Sequence, residues 1–219
     1  MFVGHYGVSF ALKGRDARIP LWFLFIAVQL VDVGWALLVL AGVEKVRIAP
    51  GITASNPLDL YYMPYTHSLV ASVVWAAVAG TIYRLRGSWR GSALLVGLAV
   101  LSHWFLDLLV HRADLPLYDD AAKVGLGLWN YRAAALSLEA TLLFGGLVWY
   151  LRHSTPRRRI GTYGFITLGL LMLAIQVQVF FGTPPESDVA AALTALAAYL
   201  IFAALAGWLE RARGAAPLR

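Results

Sequence analysis

Apolar residues run through this chain in long, nearly uninterrupted stretches, and polar residues gather in short segments between them. Six runs stand out, at 20–43, 66–83, 91–111, 128–151, 160–181 and 188–209. Each approaches or exceeds the ~20 apolar residues that a helix needs to cross a ~30 Å hydrocarbon core. Run 66–83 is the shortest, while 91–111 and 128–151 carry the most polar residues. An earlier apolar stretch, MFVGHYGVSFAL, precedes Lys13 and suits a short helix that dips into the bilayer without crossing it. The pattern predicts an all-α, polytopic integral membrane protein. It has about six transmembrane helices plus a short N-terminal helix, in one transmembrane domain over 1–219.

Composition agrees. Hydrophobic residues make up 60% of the chain and charged residues 14%, against roughly 25% charged in an ordinary soluble domain. The net charge of +6 would fit a nucleic-acid partner, but the placement of the basic residues argues against one. One alternating set of loops and ends holds Lys13, Arg15, Arg18, Arg84, Arg86, Arg90, Arg152, Arg157, Arg158, Arg159, Arg211, Arg213 and Arg219. The opposite set holds only Lys45, Arg47, Arg112 and Lys123, among several carboxylates. Thirteen against four is the signature of the positive-inside rule, which puts both termini in the cytoplasm. No basic segment precedes the first apolar stretch, so no cleavable signal peptide is expected. Loops 44–65 and 112–127 fall together on the extracytoplasmic side, where they are placed to cap a site. No internal repeat is visible, which argues against an inverted-repeat transporter.

A charged group inside a bilayer is costly and marks a functional site by default. The apolar runs hold Asp32, His67, His103, Asp107, Arg132 and Glu139, and His5 lies in the first apolar stretch. Counted at 1.5 Å per residue from the basic ends, His5 lies roughly 12 Å deep and Asp32 and His103 roughly 18 Å. By the same count Glu139 lies roughly 20 Å deep, Asp107 roughly 24 Å and His67 roughly 25 Å. Six groups from five segments therefore share one slab. A lone intramembrane histidine often only hydrogen-bonds to a neighbouring helix, but that does not explain a shared depth.

Cysteine is absent, so any metal would be held by His, Asp, Glu and water, a donor set suited to zinc or to harder metals such as manganese and iron. In SHWFLDLLVH, His103, Asp107 and His111 recur every four residues and share one helical face. His103 and Asp107 make a natural chelate, with further ligands arriving from other helices. His111, beside Arg112, reads either as a further ligand or as a solvated interfacial residue. A bound cation would lower the pKa of a water towards ~7, with Glu139, or Asp107 if it is not a ligand, as general base. Arg132 precedes Glu139 by seven residues on nearly the same face and is expected to steady an anion or to form a buried ion pair. There is no G-x-S-x-G, no P-loop and no H-E-x-x-H.

Three short strings, GHYGVSFALK, PYTHSL and SHWFLDLLVH, resemble the bacterial membrane-bound, metal-dependent hydrolases related to YdjM-like inner-membrane proteins. The longer VRIAPG, PLDLYYMPYTHSL and LPLYDDAAKVGLGLWN look like a six-helix subgroup labelled hydrolase or permease. The resemblance covers about the first 140 residues. It implies a bacterial inner-membrane location and metal ligation by His5, Asp32, His67, His103 and Asp107. The order of ligands also looks like that of zinc phospholipase C and P1-type nucleases. The chain departs from the family at QLVDVGW, where a single Asp32 stands in place of an Asp-rich motif.

These readings converge on a metal-dependent, zinc or manganese, hydrolase acting on a phosphoester or other ester of a lipid or small amphiphile. The metal site lies within 1–140, and the helices over 160–209 support it. The alternatives are a transporter or channel for a metal ion or proton, and a structural metal in a partner-binding protein.

Overall fold

The computed structural model describes residues 1–215; Arg219, counted above among the basic residues, lies outside them. Eight α-helices follow the apolar pattern: α1 (His5–Arg15), α2 (Leu21–Val28), α3 (Leu30–Leu40), α4 (Leu69–Leu85), α5 (Arg90–Val110), α6 (Arg132–Arg152), α7 (Ile160–Phe181) and α8 (Asp188–Glu210). A 3-10 turn at Leu128–Asn130 precedes α6, and four short strands pair as two antiparallel ribbons, β1 (Lys45–Ile48) with β2 (Leu58–Tyr62) and β3 (Ser154–Pro156) with β4 (Arg213–Ala215). The architecture is all-α. Helices α5 to α8 are each long and apolar enough to cross a membrane. Helix α4 is apolar but has only 17 residues.

The first run is not a single rod. It breaks at Gln29, whose φ of −104° and ψ of 7° leave the α region, and α2 and α3 meet at 56°. Carbonyls at a helix end lack intrahelical donors, and the break puts one of them to use. The Val28 carbonyl accepts a hydrogen bond from His103 Nδ1 at 2.7 Å. Gln29 itself donates to the Phe2 carbonyl at 3.1 Å.

Two helix boundaries bear on the buried histidines. Run 66–83 becomes helical only at Leu69, because Ser68 caps α4 by accepting from the Ala71 N–H. His67 therefore sits on the connection entering α4. At the other end, His111 leaves α5 with ψ 144°, so the chain turns out of the helix at that ring.

The ends sort as the charge pattern predicts. At one end Lys13 pairs with Glu210, and Asp16 accepts from Arg18 Nε at 2.7 Å and Ser92 Oγ at 2.5 Å. Arg213, at this same end, donates to Leu151, Ser154, Gly161 and Thr162 oxygens. At the opposite end loops 44–65 and 112–127 are tied together. Asp59 takes Arg47 Nε at 2.6 Å and also Arg112, while Lys123 donates to the Tyr61 carbonyl at 2.8 Å.

Helix α1 reaches the interior because its backbone touches that of α6. A Cβ added at Gly7 would lie 2.1 Å from the Leu142 carbonyl oxygen, and one at Gly146 would lie 2.0 Å from the Gly7 oxygen. Only glycine permits this approach. Gly145, one residue away, has nothing within 4 Å of an added Cβ. Gly146→Ala should therefore destabilise the fold by on the order of 2–3 kcal/mol or more through overpacking, whereas Gly145→Ala should be neutral or slightly stabilising. Thermal unfolding in detergent followed by circular dichroism checks the pair. Equal melting temperatures would contradict the contact.

Candidate metal centre

Buried apolar residues form two clusters, and the polar residues lie between them. Along α5, Val96, Ala99 and Val100 belong to one cluster and Trp104 and Val110 to the other. His103 and Asp107 fall at the changeover. The same happens on α3, where Asp32 follows Val31 of the first cluster and precedes Trp35 of the second. Glu139 on α6 lies between Ala135 and Leu143, and Gln176 on α7 between Met172 and Phe180. One polar layer thus crosses the protein at one level, as the depth count predicts.

Within that layer Asp107 is the hub. Its Oδ1 lies 3.2 Å from His5 Nε2 and 2.5 Å from the terminal ammonium of Met1. Its Oδ2 lies 3.2 Å from His103 Nε2, 3.5 Å from His111 Nε2 and 3.8 Å from His67 Nε2. Asp32 Oδ1 approaches His67 Nε2 at 3.2 Å and His103 Nε2 at 3.4 Å. The ligand atoms of His5, His103 and Asp107 all lie within 4.8 Å of one another, and so do those of Asp32, His67 and His103. The His5 and His103 rings stack at 4.0 Å. The four rings and Asp107 are almost wholly buried; only the Asp32 side chain, 13% exposed, reaches the edge.

Hydrogen bonds on the far sides of three rings fix their tautomers. The Val28 carbonyl can only accept, so His103 carries its proton on Nδ1. The Asp114 carboxylate, 2.9 Å from His111 Nδ1, assigns that ring in the same way. Thr66 Oγ1 donates its single proton to Glu44 Oε2 at 2.6 Å, so it accepts from His67 Nδ1 at 2.9 Å. Glu44 is held as an acceptor by two backbone donors, the Tyr65 and Thr66 N–H groups at 2.8 and 3.0 Å. A neutral ring protonated on Nδ1 has a bare lone pair on Nε2. Three such Nε2 atoms point at carboxylate oxygens, an arrangement that requires either a cation between them or a second proton on each ring.

The residues fit a divalent cation on their own chemistry. His103 Nε2 is buried with no hydrogen-bond partner among the described residues, as is His5 Nδ1. The donor set of imidazole nitrogen and carboxylate oxygen is that of zinc, with manganese also compatible. Histidine ligands whose second nitrogen donates to a carboxylate, hydroxyl or carbonyl are the usual outer shell of such sites.

Of the residues expected from sequence, His5, Asp32, His67, His103, Asp107 and His111 come together. His111 stands beside the two groups of ligand atoms without belonging to either, its Nε2 3.5 Å from Asp107 Oδ2, and Glu139 joins neither. Its Oε2 accepts from the Phe2 and Gly4 N–H groups at 3.0 and 3.2 Å, and Oε1 from Gln176 Nε2 at 3.1 Å. It caps the start of α1 from a neighbouring helix, which makes it a positioning residue for His5 and not a free base. Arg132 does not reach the layer. It donates to the Ala54 carbonyl and lies 4.8 Å over the Phe181 ring. Seven residues share a face with Glu139 but differ by ~10 Å in depth, and that displacement puts Arg132 among the loops.

Glu44, Thr66, Asp114, Gln176 and Tyr199 were not anticipated. Tyr199 donates to Asp32 Oδ2 at 2.9 Å. Extending the depth count to α7 and α8 would have pointed to Gln176 and Tyr199. Nothing local in the sequence marks Glu44 or Asp114 as partners of buried histidines.

Thr66→Val keeps the side chain's shape and removes the acceptor for His67 Nδ1, and Asp114→Asn alters the partner of His111. Each should weaken divalent-metal binding by about 10–100-fold while the helical circular dichroism is retained. Chelator competition with zinc in detergent reads this directly, and unchanged affinity in both variants would contradict the assignment of these partners.

No protein-family model, curated protein or solved structure matches this chain, so function is read from these side chains alone.

Proposed function

We propose that this chain is a metal-dependent hydrolase of the bacterial inner membrane, acting on a phosphoester or other ester of a lipid or small amphiphilic substrate. The observation that carries the reading is the convergence of three Nε2 atoms, each on a ring held at Nδ1, on the carboxylates of Asp107 and Asp32. In this reading α2 with α3 makes one bent span and α4 a short one. The total is then six spans, with both termini at the cytoplasmic face.

His5, His67, His103 and His111 with Asp32 and Asp107 hold the ion, zinc or manganese. When bound, such an ion supplies Lewis acidity, polarising an ester or phosphoryl oxygen and acidifying water. The protein's own groups do the rest. Glu44, Thr66, Asp114 and the Val28 carbonyl hold the rings so that each presents Nε2. Glu139 and Gln176 hold α1, and with it His5, against the layer. Tyr199 commits its single phenolic proton to Asp32 Oδ2 and so orients that carboxylate, the one partly exposed member of the layer. Water is excluded by the apolar clusters on both sides, which strengthens each electrostatic contact.

A transport pathway needs a polar lining that continues to both faces. Here a linked series of ion pairs continues towards one end, through His111, Asp114, Arg112, Asp59 and Arg47. On the other side Ser9 and Lys13 follow His5 along α1 but are tied to the Leu24 carbonyl and to Glu210. Towards the basic end the layer is backed by Phe10, Phe25, Val96, Val100, Leu143 and Phe165, all at 0–1% exposure. This favours a closed catalytic site over a conduit.

The test is hydrolysis by zinc- or manganese-loaded protein in detergent, screened against chromogenic phosphodiesters and amphiphilic esters. Metal-dependent turnover is expected, reduced on the order of 100-fold or more in His103→Gln and Asp107→Asn, with Arg132→Ala close to wild type. Turnover that survives both substitutions would overturn the assignment. Zinc flux into proteoliposomes without any hydrolysis would establish the transport reading instead.

A further inference from the structure

A second feature shares no residue with the polar layer. A cavity of about 710 Å³ opens between α2 and α8, lined on the α2 side by Pro20, Trp22 and Ile26. On the α8 side it follows Leu200, Ala203, Ala204, Gly207, Trp208 and Arg211. Those six positions recur at three and four residues and so lie along one face of the helix. The groove is apolar along its length and basic at one end only, where Arg157, Arg211 and Arg213 meet.

The charges at that end are not equivalent. Arg213 is saturated: Nε donates to Ser154 Oγ, Nη1 to Gly161 and Thr162 oxygens, and Nη2 to the Leu151 and Ser154 carbonyls. Glu210 is neutralised by Lys13 and accepts from the Leu21 N–H at 2.8 Å. Arg157 and Arg211 are both exposed and donate no side-chain hydrogen bond among the described residues. Among the described residues the groove end therefore presents two uncommitted guanidinium groups and no uncommitted carboxylate.

Its length also matches a particular occupant. Leu200 to Arg211 spans eleven residues, or ~16 Å, about half of a ~30 Å hydrocarbon core. Trp22 and Trp208, 47% and 55% exposed, lie towards the basic end, where amphipathic rings settle at a membrane–water interface. We infer that this groove is a binding site for one anionic phospholipid, with an acyl chain along Leu200, Ala204 and Ile26 and the phosphate between Arg157 and Arg211. The lipid comes from the leaflet that faces the basic ends of the helices. It would staple α2 to α8 beside the Lys13–Glu210 pair.

Native mass spectrometry of the full chain released from detergent tests this, with phosphatidylglycerol or phosphatidylcholine of the same acyl chains added. One phosphatidylglycerol per chain should be retained at concentrations about tenfold or more below those needed for phosphatidylcholine, given two arginines at an anionic headgroup. Arg157→Gln with Arg211→Gln should abolish the preference. Ala204→Phe, at an exposed position of the groove, should lower retention of both lipids while the fold persists. Equal retention of the two lipids by wild type, or a preference unchanged in the double variant, would overturn the proposal. So would a dimer that forms without lipid and is abolished by Ala204→Phe, since the groove would then hold a second copy.

Discussion

Asp107 is a carboxylate with almost no access to solvent, placed on an apolar helix, and such a charge must be compensated. The groups that surround it come from the Met1 ammonium, from α1, from the connection entering α4 and from α5 with its C-terminal exit at His111, and between them they organise much of the molecule. His5 requires α1 to press against α6 through Gly7 and Gly146. His103 requires a free carbonyl at Val28, and so a broken helix at Gln29. His111 requires the chain to leave α5 where it does, with loop 112–127 supplying Asp114. Each irregularity of the helices corresponds to one contact of this layer.

The same constraint accounts for the second set of partners. A buried imidazole facing a carboxylate is stable either as an imidazolium or as a neutral ring sharing a cation. The protein fixes Nδ1 of three rings with a carbonyl, a carboxylate and a threonine hydroxyl that is itself committed to Glu44. Such fixing costs the placement of Glu44 and Asp114 in sparsely hydrated positions, each then satisfied by its own donors. It leaves Nε2 as the converging atom in every case. That is the preparation expected of ligands and has no purpose in a purely apolar core.

Much of this was legible in the sequence. The apolar runs located α5 to α8 to within a few residues, because length and hydrophobicity alone determine a spanning helix. The depth count gathered His5, Asp32, His67, His103 and Asp107, because a straight helix converts residue number into height. Both arguments fail where the helix is not straight or not yet begun. The break at Gln29 follows from tertiary bonds to Phe2 and His103, and the start of α4 from Ser68. The seven-residue spacing, read without a depth, took a shared face for a shared site, which misplaced Arg132 by two turns. Glu139 was placed at the right level, but its role depends on the N–H groups of Phe2 and Gly4, which lie more than 130 residues away in the chain. Such pairings are a property of the fold and leave no local trace.

The central claim is that a divalent cation belongs between the bare Nε2 atoms and the two carboxylates. X-ray absorption at the zinc edge, on detergent-purified protein loaded with one zinc per chain, tests it most directly. The account predicts a sulfur-free shell of nitrogen and oxygen at about 2.0–2.1 Å, with the outer scattering of two or more imidazoles, lost in His103→Ala. A spectrum of solvated zinc without imidazole scattering, or failure to retain zinc at all, would contradict it. The layer would then be a protonated network of imidazolium and carboxylate.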